Sequence, residues 1–237
     1  MTSASTAGDE LRRLVGGLVV SCQARNDNPL HGPRSMALMA RAAVLGGARG
    51  IRANGEEDIA AIRSAVDVPI LGINKVTAID GTVFITPTAA SAQLVIAAGA
   101  RLVALDGTAR PRLGGESLAA VIAAIHDAGA LALADVATTD DADHAVRAGA
   151  DAVGTTLSGY TADSPRQDGP DFALLTELVK RQAVPVFAEG RIWTAEQARR
   201  ALALGAAFVV VGTAITNPMA TTAKFVSVMG GNQGGAG

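Results

Sequence analysis

Eight short aliphatic runs, set apart by seven near-identical joints and apolar without alternation, predict a single (β/α)8 TIM barrel. Five joints read Gly-Ala-X, at Gly47, Gly99, Gly129, Gly149 and Gly205, and two read Val-Pro, at Pro69 and Pro185. Glycine just past a helix adopts the left-handed cap that turns the chain back. Proline suits the first residue of a strand. Continuous apolar runs mean strands buried on both faces, as in a parallel sheet. An open doubly wound sheet would share that feature but does not need eight evenly repeated units.

The first run is Gly17-Leu-Val-Val-Ser-Cys-Gln23, followed by a polar loop to Pro33 and an Ala/Met-rich helix ending at Gly46-Gly47. The second, Gly50-Ile-Arg-Ala-Asn54, leads into a helix with Asn54 and Glu57 as its N-cap pair and Ile59, Ile62 and Val66 on one face. The third, residues 68–75, precedes an extended piece at 83–87 and a helix carrying Leu94, Val95 and Ala98. The fourth, Leu102-Val-Ala-Leu-Asp106, is followed by Leu118, Val121, Ile122 and Ile125 at helical spacing. The fifth is Leu131-Ala-Leu-Ala-Asp135 and the sixth spans 152–157. The seventh, 184–192, and the eighth, 208–215, flank a helix over 194–204, and a last helix runs from Pro218 to Met229.

A chain of 237 residues with 49% hydrophobic content can bury one sizeable core, so one domain over 1–237 is expected, with disordered tails at 1–10 and 230–237. A net charge of −2 without a basic run argues against nucleic acid, and aromatics at 3% leave few surfaces for base stacking. No apolar run reaches the length of a membrane span. The N-terminus has no signal-peptide region, and the one cysteine, Cys22, builds no disulfide framework. A cytoplasmic location is expected.

Catalytic groups in such barrels sit where the strands end, at the C-terminal mouth. Those positions hold Gln23, Arg52, Lys75, Asp106, Asp135, Thr155 with Thr156, Glu189, and Gly212 with Thr213. A charge at one strand end meets water and needs no further reason; the barrel, however, brings all of these to one mouth. Lys75, crowded by protein and by Arg52, would shift toward neutrality, as a general base requires. Glu189 and Asp135 suit proton transfer, and would equally serve as ion-pair partners of Lys75 and Arg52. Arg52 offers a planar fork to a carboxylate or an oxyanion. The loops after strands 7 and 8 form the usual phosphate cradle, here Gly190, Arg191, Gly212 and Thr213. His31, His126 and His144 lack metal-ligand spacing, the last two falling within helices, so a metal-free site is predicted.

These motifs resemble the N-acetylmannosamine-6-phosphate 2-epimerase family over nearly the whole chain, from Gly17 to Met229. The resemblance rests on Val-Ser-Cys-Gln (20–23), Gly-Ile-Arg-Ala-Asn (50–54), Gly-Ile-Asn-Lys (72–75), Phe-Ile-Thr-Pro (84–87) and Leu-Asp-Gly-Thr (105–108). It continues through Ala-Asp-Val-Ala-Thr (134–138), the specific run Gly154 to Thr161, Ala-Glu-Gly-Arg (188–191) and Val-Gly-Thr-Ala-Ile-Thr (211–216). It implies an epimerase acting on N-acetylmannosamine 6-phosphate and N-acetylglucosamine 6-phosphate without an organic cofactor, in sialic acid catabolism.

The family's catalytic lysine falls on Lys75, its carboxylates on Asp135 and Glu189, and its substrate-orienting residues on Gln23 and Arg52. Thr155 and Tyr160 are further candidate substrate contacts. The family is often dimeric, so a homodimer is expected. Asn217 stands where the family usually has arginine, and Val76 where a basic residue is common; both remove a cation from the expected phosphate side. A lysine at the third strand end would also serve a Schiff-base lyase or aldolase, and a barrel that binds sugar phosphate without turnover is a third reading.

Overall fold

The structure, a computed structural model, describes residues 6–230. The strands in chain order are β1 (Leu18–Cys22), β2 (Gly50–Asn54), β3 (Ile70–Ile73), β4 (Lys75–Thr77), β5 (Val83–Ile85), β6 (Leu102–Asp106), β7 (Leu131–Asp135), β8 (Ala152–Gly154), β9 (Val186–Glu189) and β10 (Val209–Val211). All except β4 and β5 close a parallel barrel, with β10 beside β1. The helices are α1 (Ala7–Leu14), α2 (Pro33–Leu45), α3 (Glu56–Ala65), α4 (Ala89–Ala97), α5 (Leu118–Asp127), α6 (Thr139–Arg147), α7 (Phe172–Arg181), α8 (Ala195–Ala203), α9 (Thr213–Thr216) and α10 (Pro218–Val228). The predicted (β/α)8 barrel is therefore the observed one.

The repeated joints act as expected. Gly47, Gly99, Gly129, Gly149 and Gly205 all have positive φ, from 74° to 108°. At each, the N–H of the following alanine bonds back five residues, for example Ala100 to Val95 (3.1 Å) and Ala150 to Ala145 (3.0 Å), which closes a Schellman cap. Each of those alanines is then buried at the foot of a strand.

Two apolar layers result. The barrel interior holds Val19, Leu71, Ile73, Leu102, Leu133, Phe187, Phe208 and Val210. The layer between strands and helices holds Val20, Ile51, Ile59, Ile62, Val95, Val121, Ile122, Ile125, Leu175 and Leu178. Phe187 and Phe208 stack at 5.0 Å between centroids and 5° between planes. Gly154 makes room for that pair, because a Cβ there would lie 2.1 Å from the Phe187 ring.

Several expectations are corrected. Residues 7–10 of the predicted N-terminal tail belong to α1, which Thr6 and Asp9 start with a capping box. This helix carries Leu14 into the barrel interior, where it fills the space a Cβ on Gly50 would occupy. Residues 1–5 and 231–237, the rest of the predicted tails, lie outside the described residues. The extended piece after the third run is β5, which pairs antiparallel with β4. The sixth run stops at Gly154 and becomes a 3-10 turn, Thr155–Leu157, while Ile215 of the eighth lies in α9. Gly55, not Asn54, precedes α3, and it makes no side-chain cap. Leu94 faces outward, about half exposed, while Val95 beside it is buried.

Candidate active site

Register sets the level of the site. Asp106, Asp135 and Gly154 are in line across β6, β7 and β8, at the ends where the strands give out. Arg52 projects from β2 and meets β7 and β9 across the mouth. Its Nη1 and Nη2 donate to the Asp135 carboxylate at 3.1 and 2.7 Å, and Nη1 also donates to Glu189 Oε2 at 2.6 Å. Arg52 is 1% exposed, Asp135 0% and Glu189 15%. Two carboxylates and one guanidinium thus form the floor of the mouth, and only Glu189 opens to solvent.

Burial alone would make the Arg52 guanidinium easier to deprotonate, but Asp135 and Glu189 together hold it more firmly charged than usual. Burial also pushes Glu189 up, to about 7; Arg52 opposes this and the Asp135 charge adds to it. Glu189 can therefore carry a proton near neutral pH.

Lys75 begins β4, directly after β3. Its backbone N–H donates to Asn54 Oδ1 at 2.8 Å. On the other side Thr86, at φ 45° and fully buried, accepts from Asn74 N at 3.1 Å and donates to the Ala104 carbonyl at 2.7 Å. The lysine is thus held from β2 and from β5 at once. Lys75 is exposed to water at the open mouth, with protein packed around its other sides. Burial first, and Arg52 second, lower its pKa below the usual lysine range, while Glu189 and Asp135 pull the other way. Arg25, in the first loop, adds a smaller lowering. Lys75, Glu189, Asp135 and Arg52 therefore act on one another's charge at a single mouth.

Other predicted residues fall differently. Gln23 is half-buried at the end of β1 and donates to Ser21 Oγ at 2.7 Å. Thr155 turns away from the mouth: its hydroxyl donates to the Glu189 carbonyl (2.9 Å) and accepts from the Glu189 N–H (3.2 Å), latching β8 to β9. Thr156 instead reaches the carboxylates, 2.5 Å from Asp135 Oδ1 and 3.3 Å from Glu189 Oε2.

Asp106 does not join the floor. It accepts from the Thr108 N–H and hydroxyl and pairs with Arg110, which lies over the Phe84 ring, so it ties the loop after β6 to β5. Arg191, at φ 54°, gives Nε to the Gly169 carbonyl (2.8 Å) and Nη1 to that of Ser158 (2.7 Å), and its guanidinium covers Tyr160. It clamps the loop after β8, and Tyr160 stands exposed on that loop.

Gly190 follows β9 at φ 111°, and Gly212 precedes α9, with Thr213 exposed as its first residue. Ser21 on β1 backs Gly212, and Thr216 donates to the Ser21 carbonyl at 2.8 Å. Asn217 accepts from Ala220 N and from Asn28 Nδ2, so it caps α10 and ties it to the first loop. His126 pairs with Asp151 at 2.8 Å beside the N-terminal end of β7, away from the mouth. His31 is exposed and acts on Asp58 of α3. Cys22 is buried, its thiol pushed up to about 12 by burial. Among the described residues, no three His, Cys, Asp or Glu side chains gather as a metal site.

Arg52, expected to hold substrate oxygens, is covered here and has both Nη atoms on carboxylates, and Asp135 accepts from Arg52 and Thr156.

Comparison with known proteins adds the family. A family model described as "Putative N-acetylmannosamine-6-phosphate epimerase" matches residues 36–231. A protein from Cutibacterium acnes carrying the 2-epimerase form of that name is 49% identical over 215 residues, 90% of this chain and 93% of its own. One from Caldanaerobacter subterraneus is 45% identical over 221 residues, 92% and 93% of the two chains. The solved N-acetylmannosamine-6-phosphate 2-epimerase from Clostridium perfringens superposes at a TM-score of 0.91 and 42% identity, over 96% of this chain and 100% of that one. A thiamine phosphate pyrophosphorylase from Pyrococcus furiosus, at 19% identity and a TM-score of 0.59, shares the fold alone. With the family model covering most of the sequence and relatives this similar from end to end, the chain belongs to the N-acetylmannosamine-6-phosphate 2-epimerase family.

Proposed function

We propose that the chain is a cofactor-independent isomerase that interconverts N-acetylmannosamine 6-phosphate and N-acetylglucosamine 6-phosphate. The observation that carries this reading is the meeting, at one barrel mouth, of Lys75 with the Arg52–Asp135–Glu189 cluster, where the lysine is easier to deprotonate than usual and the glutamic acid harder to ionise. Groups whose environments push them in these directions divide base and acid work between them.

The proton on carbon 2 is acidic only once carbon 1 is an aldehyde, so the sugar ring opens first. Glu189, holding its proton near neutral pH, gives it to the ring oxygen, and its carboxylate takes up the proton that the anomeric hydroxyl loses as the C1–O5 bond breaks and the aldehyde forms. Lys75, as the neutral amine, then takes the carbon-2 proton, and the C–H electron pair passes into the enolate. Return of a proton to the opposite face of carbon 2 gives the epimer. The Gln23 carboxamide orients the acetamido group, while Arg52 in the floor keeps the local potential positive as the enolate forms. The phosphate rests on the loops at Gly190 and Gly212, taking the N–H groups of Thr213 and Ala214 at the start of α9 and the Thr213 hydroxyl as donors. Anchoring it there keeps carbon 2 in register with Lys75.

The same reading places the enzyme in the cytoplasm, where a lone buried thiol such as Cys22 is at no risk of mispairing. It also makes the enzyme a homodimer. No residue of α10 is buried, and Phe225, Val226 and Val228 on it are exposed, a face that a second copy would cover. The test of the activity is proton NMR of N-acetylglucosamine 6-phosphate with the enzyme in deuterium oxide. Deuterium should enter carbon 2 as the epimer accumulates; cleavage of the sugar, or an unlabelled carbon 2, would overturn the reading.

A further inference from the structure

Thr156 sits between the two carboxylates of the floor, in the 3-10 turn that follows β8. Arg52 Nη1 donates to Asp135 Oδ1 and to Glu189 Oε2, at 3.1 and 2.6 Å. Thr156 Oγ1 approaches the same two oxygens, at 2.5 and 3.3 Å. Two donors and two acceptors therefore alternate round a ring of four atoms. The guanidinium nitrogen has two hydrogens, one for each carboxylate, but the threonine hydroxyl has only one.

That shortage gives the hydroxyl two states. With its hydrogen turned to Asp135 it faces Glu189 with a lone pair, which a protonated Glu189 can fill with its own O–H. When Glu189 is ionised, the threonine hydrogen can turn to it instead. Asp135 is fully buried, so bulk water does not stand in for the threonine on that side. Valine at this position would keep the shape and lose the switch.

We propose that Thr156 is a positioning residue for proton handling at Glu189, its hydroxyl reversing between Asp135 and Glu189 as Glu189 gives up and regains its proton in each turnover. The proposal rests on the epimerase reading above. The charged groups acting on Glu189 are Arg52 on β2, Asp135 on β7 and Lys75 on β4, and all of them stay in place when Thr156 changes. The hydroxyl favours the ionised form of Glu189, so its removal moves the Glu189 midpoint upward from about 7.

The test compares Thr156→Val, Thr156→Ala and Thr156→Ser. Losing a hydrogen bond to a charged group lowers kcat in the valine and alanine variants by about 10- to 100-fold. KM changes little, since the hydroxyl does not touch substrate. The alkaline limb of the kcat profile moves to higher pH in both, and serine restores wild-type behaviour. Carbon-13 NMR of the glutamate carboxyls in the substrate-free protein reads the same midpoint without any turnover. Wild-type titration and turnover in the valine variant would overturn the proposal, as would a serine variant as impaired as valine. A wild-type protein that moves no carbon-2 proton would instead sink the epimerase reading, and the carboxyl titration would still decide whether Thr156 is coupled to Glu189.

Discussion

A guanidinium that is 1% exposed stays charged only beside anions, and Arg52 has two, Asp135 and Glu189. Removing one member of such a buried cluster leaves the others uncompensated, which costs about 3–5 kcal/mol. Arg52→Met should lose stability of that order in urea unfolding above pH 7. The sign follows from Glu189, whose folded pKa of about 7 lies above its ordinary 4.5. A raised carboxylate contributes most to stability below pH 4.5 and loses that contribution as pH rises toward 7. Without Arg52 the Glu189 midpoint rises further, so the penalty is smallest in acid, where Glu189 is protonated folded or unfolded. An equal loss at pH 5 and pH 8 would contradict this assignment. Lys75, Arg52, Asp135 and Glu189 are legible in the sequence because each is an ionisable residue within or at the end of an aliphatic run. Their surroundings are less so: spacing cannot tell an open side chain from a covered one, and Arg52 and Asp135 are covered. Thr155 and Thr156, which the sequence places together at a strand end, face different partners for a local reason. The chain leaves the strand at Gly154 for a 3-10 turn, and strand alternation no longer says which threonine faces inward.

At the level of elements, the joints were the most readable feature, since an αL cap needs glycine and the buried alanine after it needs a small side chain. Gly154 is a different case, set by tertiary packing. Its Cβ position is filled by the Phe187 ring, which in turn stacks on Phe208. Gly154→Ala should therefore destabilise by about 1–3 kcal/mol, the usual range for overpacking a tight core, with a lower Tm as the readout. Pairing it with Phe187→Leu should recover part of the loss, and an unchanged Tm in the single variant would show that the ring can move aside. The β4–β5 hairpin and α1 escaped the sequence reading. The first is too short to show a period, and the second was masked by its polar flank, although Thr6 and Asp9 have the spacing of a capping box. Asn54 looked like a helix cap because a side-chain oxygen before an acidic turn fits either duty; in the fold it holds the Lys75 backbone.

On the scale of the whole molecule, the barrel's two ends do different work. The N-terminal end is closed by Leu14 of α1, while the C-terminal end gathers the ionisable groups. Phe225, Val226 and Val228 of α10 are among the apolar residues that the outer ring exposes, and the proposed association of two copies would cover them. Sedimentation should give twice the mass of one chain, and Phe225→Glu with Val228→Glu should return a monomer; a wild-type monomer at micromolar concentration would contradict the homodimer. The central claim, however, is that Lys75 is the base at carbon 2. General-base help is worth about 10²–10⁴-fold. The most direct measurement is therefore the rate at which solvent deuterium enters carbon 2 with Lys75→Ala, taken beside the affinity of that variant for the sugar phosphate. The account predicts exchange slowed by at least about 10²-fold with binding retained. Exchange at close to the wild-type rate would contradict it.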